Sequence, residues 1–123
     1  MNLNTVRIFV RDLTQARQFY EHAVGLTLKA DGVNYGYCVF QAGSAELVVE
    51  TVGDDAPDEE QVLVGRFTGL SFAVDDVLAK YEELTARGVV FTGTPEVQAW
   101  GGTLATFRDP AGNELQMAQH PAA

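Results

Sequence analysis

The chain has 123 residues and a formal net charge of −9, from 17 acidic against 8 basic residues. A composition that is 46% hydrophobic and 20% charged is that of a folded globular domain and excludes wholesale disorder. The acidic excess, with no lysine or arginine cluster, excludes nucleic-acid binding, and no apolar run is long enough to span a bilayer.

The negative charge fits either solubility or attraction of cationic ligands by a focused potential. Residues Met1 to Arg7 carry no basic region followed by an apolar stretch, which predicts no signal peptide. The single cysteine, Cys38, sits in the apolar run Tyr37-Cys38-Val39-Phe40 and reads as a small buried hydrophobe. These features predict a cytoplasmic protein.

In chain order, residues Leu3 to Val10 alternate, with Val6, Ile8 and Val10 on one face and Thr5, Arg7 and Phe9 on the other. That pattern predicts a strand with one face in a core. Asp12 is placed to cap a helix whose apolar positions Leu13, Ala16, Tyr20 and Ala23 recur at helical spacing, and Gly25 to end it. A second strand is expected from Leu26. Two more follow near Tyr35–Gln41 and Ala45–Thr51, joined by the turn Ala42-Gly43-Ser44.

Residues 52–64 are polar and acidic and read as a turn-rich linker. They lack the central glycine and terminal glutamate of a calcium loop, though a long loop of this kind can also serve as a flap. A second series then repeats the first. Residues 69–76 read as a strand ending in a helix cap at Asp76; Val77, Tyr81 and Leu84 form a helical stripe, and Gly88 ends it. Strands are expected at Val89–Phe91, Gly102–Phe107 and Glu114–Gln119, the last two joined by Asp109-Pro110-Ala111-Gly112-Asn113. Asp12 and Asp76 are 64 residues apart and Gly25 and Gly88 are 63 apart, which indicates internal duplication.

The expected fold is α+β: two tandem βαβββ modules forming curved mixed sheets around a cleft. The first module spans 1–53, the linker 54–65 and the second module 66–120.

Residues 6–13, Phe19-Tyr20, Gly25-Leu26, residues 70–77 and residues 109–113, in this order and spacing, resemble the vicinal oxygen chelate superfamily. That superfamily includes glyoxalase I, bleomycin-resistance proteins and extradiol dioxygenases, and the resemblance is strongest to a bleomycin-resistance-like member. Its enzymes hold a divalent metal through one residue on each of four strands. Carried over by motif, those positions are Thr5, Glu46, Gly69 and Gln116. Glycine has no donor and a lone threonine hydroxyl is a poor ligand, so no metal or other cofactor is expected. The resemblance also implies a homodimer.

By alternation, Thr5, Arg7 and Phe9 are expected to face the cleft with Glu46, Val48 and Glu50, and with Ser71, Glu114 and Gln116. Arg7 either pairs with Glu46 or Glu50 or meets the ligand directly. Glu46 has three readings: partner of Arg7, residual metal ligand, or general base, with the first favoured. Trp100, beside Gly101-Gly102, reads equally as a flat pocket wall or as packing at a strand corner. Tyr35 and Tyr37 are expected on the third strand.

The candidate ligand-binding set is therefore Arg7, Phe9, Tyr37, Glu46, Val48, Ser71, Trp100 and Gln116, with Glu46 the candidate catalytic residue. The expected function is metal-free sequestration of a hydrophobic or aromatic small molecule, plausibly a toxic one. The alternatives are a metal-dependent lyase, isomerase or dioxygenase using Glu46 and Gln116, and a noncatalytic interaction module.

Overall fold

The computed structural model describes residues 1–121. Strand β1 (Thr5–Val10) leads into helix α1 (Leu13–Gln18), which widens into a π-helical turn at Phe19–Ala23. Strands β2 (Thr27–Gly32), β3 (Tyr37–Ala42) and β4 (Ala45–Thr51) follow. After a short helix α2 (Asp58–Gln61), the series restarts with β5 (Phe67–Ala73), α3 (Val77–Ala86), β6 (Val90–Phe91), β7 (Glu96–Val97), β8 (Thr103–Arg108) and β9 (Glu114–Gln119).

The first sheet has the order β1-β4-β3-β2 and the second β5-β9-β8-β6, with β7 also paired to β8. In each, the first strand runs parallel to the last, as a crossover through a helix demands, and the other pairings are antiparallel. This is the α+β architecture of two βαβββ series. The described residues separate into two compact units, residues 1–66 with 110–113, and residues 67–109 with 114–121.

The duplication extends to atomic detail. Asp12 accepts a hydrogen bond from the Gln15 amide at 3.0 Å and Asp76 one from the Ala79 amide at 3.0 Å, each satisfying an otherwise orphaned donor of the first helical turn. Gly25 and Gly88 end the helices at φ of 89° and 90°, a left-handed conformation that a Cβ would strain.

Alternation sends one face of each sheet into a core. In the first unit Ile8, Val10, Cys38, Phe40, Leu47 and Val49 are buried with Leu13, Ala16 and Tyr20 of the helix. The Tyr20 and Phe40 rings lie 5.9 Å apart. In the second unit Phe72 and Phe91 pack on Phe107 at 6.3 and 5.8 Å, beside Leu84, Leu115 and Met117. The opposite face of each sheet carries the candidate residues.

Three sequence expectations are corrected. The acidic segment is not an open linker: Pro57 precedes helix α2, whose first turn carries Asp58, Glu59 and Glu60 against the positive end of the helix dipole. Gln61 then ties the loop together, donating to the carbonyls of Gly53, Asp54 and Ala56 at 2.8, 3.2 and 3.1 Å. Tyr35 lies in a 3-10 turn (Val33–Tyr35) and not on a strand, because Gly36 adopts φ 85° and β3 begins only after it. Strand β7 was not expected; two residues are too few for alternation to register.

Asn113 was read only as a turn residue, yet it is fully buried. Its Oδ1 accepts from the amides of Gly65 and Arg66 at 2.9 and 3.3 Å, and its Nδ2 donates to the Phe9 carbonyl at 2.8 Å. Val64 bridges to Phe9 in parallel fashion beside it. The side chain thus clamps the end of the acidic segment to β1.

Candidate functional site

The open face of the first sheet is ordered in rows by strand register. Thr5 lies beside Glu46 and Gln41, Arg7 beside Val48 and Val39, and Phe9 beside Glu50 and Tyr37. Alternation alone predicts which residues share the face; the register decides which of them touch.

Arg7 donates through Nε and Nη2 to the same Glu50 oxygen at 2.8 and 2.7 Å, and its guanidinium carbon lies 5.3 Å from the centroid of the Phe9 ring. Of the two partners expected for Arg7, Glu50 is the one found, and the favoured reading of Glu46 as the partner of Arg7 is corrected. Glu46 stands on the Thr5 row and bonds Lys29 at 2.7 Å. A break in register between Leu28 and Ala30 inserts Lys29 as an extra residue of β2, and a bulge of this kind leaves no mark on sequence alternation. Lys29 was accordingly missed. Tyr37 closes the row, its ring lying flat on Gly32, where a Cβ would meet the ring at 2.6 Å.

The open face of the second sheet carries Ser71, Glu114 and Gln116 with Thr106 and Arg108. Gln116 donates to the Thr106 hydroxyl at 3.3 Å, and Arg108 bonds Glu114 at 3.2 Å. Gly69, at φ 75°, sits in a bulge where the pairing Phe67 to Glu114 gives way to Ser71 with Gln116. Thr68 holds that bulge, its hydroxyl donating to the Glu114 carbonyl at 2.8 Å and accepting from the Leu70 amide at 3.1 Å.

Register also revises the correspondence between the halves. Arg7 and Ser71 each lie five residues before their helix cap; Arg7 pairs with Val48 and Ser71 with Gln116. Gln116 therefore corresponds to Val48, and Glu46 to Glu114. On the matched row of Thr5, Glu46, Gly69 and Glu114 the two carboxylates are engaged by Lys29 and Arg108, and on the row of Val48 and Gln116 the first unit offers only an aliphatic side chain. Among the described residues no three His, Cys, Asp or Glu side chains come together to hold a metal ion. The donor set does not fit a bound divalent cation.

Trp100 lies in the tight connection between β7 and β8, where the Gln98 amide donates to the Gly102 carbonyl at 2.7 Å. Its indole covers Gly102, where a Cβ would overlap the ring at 1.8 Å, and its centroid is 5.7 Å from that of His120. The ring is half exposed. Its inner side is thus given to packing and its remaining surface to solvent.

A separate groove of about 310 Å³ lies on the helix side of the first unit, lined by Thr14, Arg17, Asp31, Asn34 and Tyr35 among others. Arg17 is already engaged there by Asp31 at 2.7 Å, so the two charges that line the groove satisfy one another. The open sheet face is the better candidate, since it alone joins aromatic rings to charged groups on rigid strands. Cys38 belongs to neither surface; it is fully buried, and burial pushes its thiol up from the ordinary value of 9.0. No helix of the described residues is long and apolar enough to cross a membrane.

Comparison with known proteins agrees with this architecture. Residues 2–117 match the family described as the Glyoxalase/Bleomycin resistance protein/Dioxygenase superfamily. The crystal structure of a superfamily member from Sphaerobacter thermophilus is 27% identical, with 98% of each chain covered and a TM-score of 0.80. TnmS3, an antibiotic binding protein from Streptomyces sp. CB03234, is 29% identical over 99% of this chain and 97% of its own, with a TM-score of 0.77. YetH of Bacillus subtilis is 28% identical over 90% of this chain and 92% of its own.

Proposed function

Since the chain belongs to the Glyoxalase/Bleomycin resistance protein/Dioxygenase superfamily, we propose that it is a metal-independent binding protein that sequesters an aromatic or hydrophobic small molecule. The observation that carries this reading is the Phe9–Glu50–Tyr37 row with Arg7 above it. Flat rings beside a charged pair on a rigid sheet suit recognition of a planar ligand. The similarity to an antibiotic binding protein over nearly the whole chain supports a toxic natural product as the ligand class.

Glu46 acts here as the partner of Lys29 and not as a general base. Val48, at the position matched to Gln116, is aliphatic and offers no donor to polarise a carbonyl for a base to exploit. Val48 supplies apolar contact beside Arg7 in the first unit; in the second, Ser71, Gln116 and the outer surface of Trp100 are the candidate contacts. The free cysteine suits a reducing cytoplasm. Strand β2 ends the first sheet and β5 the second, and sheet edges of this kind favour association into a homodimer.

The test is calorimetric titration of the folded protein with a panel of planar aromatic compounds, run with Phe9→Ala and Tyr37→Ala. One saturable site per chain, weakened in both variants while circular dichroism is unchanged, is expected. Absence of saturable binding across the panel would overturn the reading. Protein soaked in zinc and desalted should retain far less than one ion per chain. Near-stoichiometric retention, lost in Glu46→Ala, would favour the lyase, isomerase or dioxygenase alternative. Light scattering should report two chains per particle.

A further inference from the structure

We propose that Arg7 is an internal stand-in for the ligand, occupying a cation receptor formed by Glu50 and Phe9, and that the ligand carries a protonated amine or guanidinium which displaces it. This rests on the binding reading above and specifies the chemistry of that same face.

Adjacent strands lie about 4.8 Å apart. Phe9, the register partner of Glu50 on β1, therefore stands beside it. A carboxylate beside an aromatic face suits a desolvated organic cation, since charge and ring quadrupole act on it together. Arg7 makes both interactions: two N–H groups on Glu50 Oε2, and its guanidinium over Phe9. Oε1 accepts no hydrogen bond among the described residues, which leaves a lone pair for a ligand donor.

The two partners are unequally held. The Arg7 side chain is 60% exposed and that of Glu50 only 26%. The cation is the group free to swing into water, and detaching an exposed arginine costs little. An anionic ligand would instead have to draw Arg7 away and leave the better-buried carboxylate unpaired. It would also enter a surface where residues 1–66 carry ten carboxylates against five basic groups, a field that repels it and attracts a cation.

The duplicated unit provides an internal comparison. Arg7 corresponds to Ser71, Phe9 to Ala73, and Glu50 to Ala118, which pairs with Ala73 and Leu104. The same fold thus closes its second sheet with a plain aliphatic row. Nothing in the architecture requires a carboxylate beside an aromatic ring at this row, which leaves the first sheet's row available for a ligand.

The experiment titrates the wild type, Arg7→Met and Glu50→Gln with three matched probes: 2-naphthylmethylammonium, 2-naphthoate and the neutral 2-naphthylmethanol. Calorimetry is followed by proton NMR of the aromatic rings. The ammonium probe should bind most tightly and shift the Phe9 resonances. Arg7→Met, which removes the competitor, should tighten it by about two- to five-fold, and Glu50→Gln should weaken it by about tenfold or more. Arg7→Gln repeats the first variant should methionine perturb folding. Naphthoate or the alcohol binding as tightly as the ammonium, or loss of binding in both Arg7 variants, would overturn the cation receptor while leaving a binding protein. Failure of all three probes to bind this face would overturn both readings.

Discussion

Replacing Asn113 tests the proposed clamp most directly. In Asn113→Ala the amides of Gly65 and Arg66 lose their acceptor and the Phe9 carbonyl loses its donor. A protein hydrogen bond is worth about 1 kcal/mol net, and more where the abandoned group stays buried. Gly65 and Arg66 are exposed and can bond water instead, so their loss falls at the low end. The Phe9 carbonyl and the space left beneath it bring the expected total to about 2–3 kcal/mol, a large share of a typical domain's stability. At about 4 °C per kcal/mol for a chain of this size, the melting temperature should fall by roughly 8–12 °C. Urea unfolding followed by far-ultraviolet circular dichroism measures it. Asn113→Asp refines the test: ionised, it accepts from Gly65 and Arg66 but cannot donate to Phe9, whereas protonated it can. Its deficit against wild type should therefore shrink as pH falls into the ordinary carboxylate range. A loss below about 0.5 kcal/mol in Asn113→Ala would refute the clamp.

Phe40→Ala, which empties a fully buried site beside Tyr20, should cost about 3–5 kcal/mol in the same assay. Burial raises the Cys38 thiol, so the folded state holds that proton more tightly than the unfolded state does. The resulting stability is complete below the ordinary value of 9.0 and is lost as pH rises through the folded value; Cys38→Ala should flatten that alkaline slope in pH-dependent denaturation. Gly102→Ala drives a Cβ into the Trp100 ring, and should shift the tryptophan fluorescence to the red while leaving the first unit's circular dichroism contribution intact. A double-mutant cycle of Lys29→Met and Glu46→Gln should return less than about 1 kcal/mol, as for other solvent-facing pairs; a larger coupling would show that Glu46 is held for a further purpose.

Much of the fold is legible along the chain because its signals are local. Alternation of Val6, Ile8 and Val10, the helical stripe of Leu13, Ala16 and Tyr20, and the capping aspartates Asp12 and Asp76 each depend on neighbours a few residues away. The repeated spacing of those caps and of Gly25 and Gly88 made the duplication readable as well. Glu46 with Lys29, Glu50 with Arg7, and Asn113 with Phe9 are different in kind. Their partners lie 17, 43 and 104 residues apart, and two bulges, at Lys29 and at Gly69, set which residue meets which. A shift of one position in a sheet changes every cross-strand partner while leaving the composition of the strand unchanged. The sequence by itself therefore determined which side chains could share a face; only the tertiary register decided that Arg7 meets Glu50 over Phe9 and that Val48 is the position matched to Gln116.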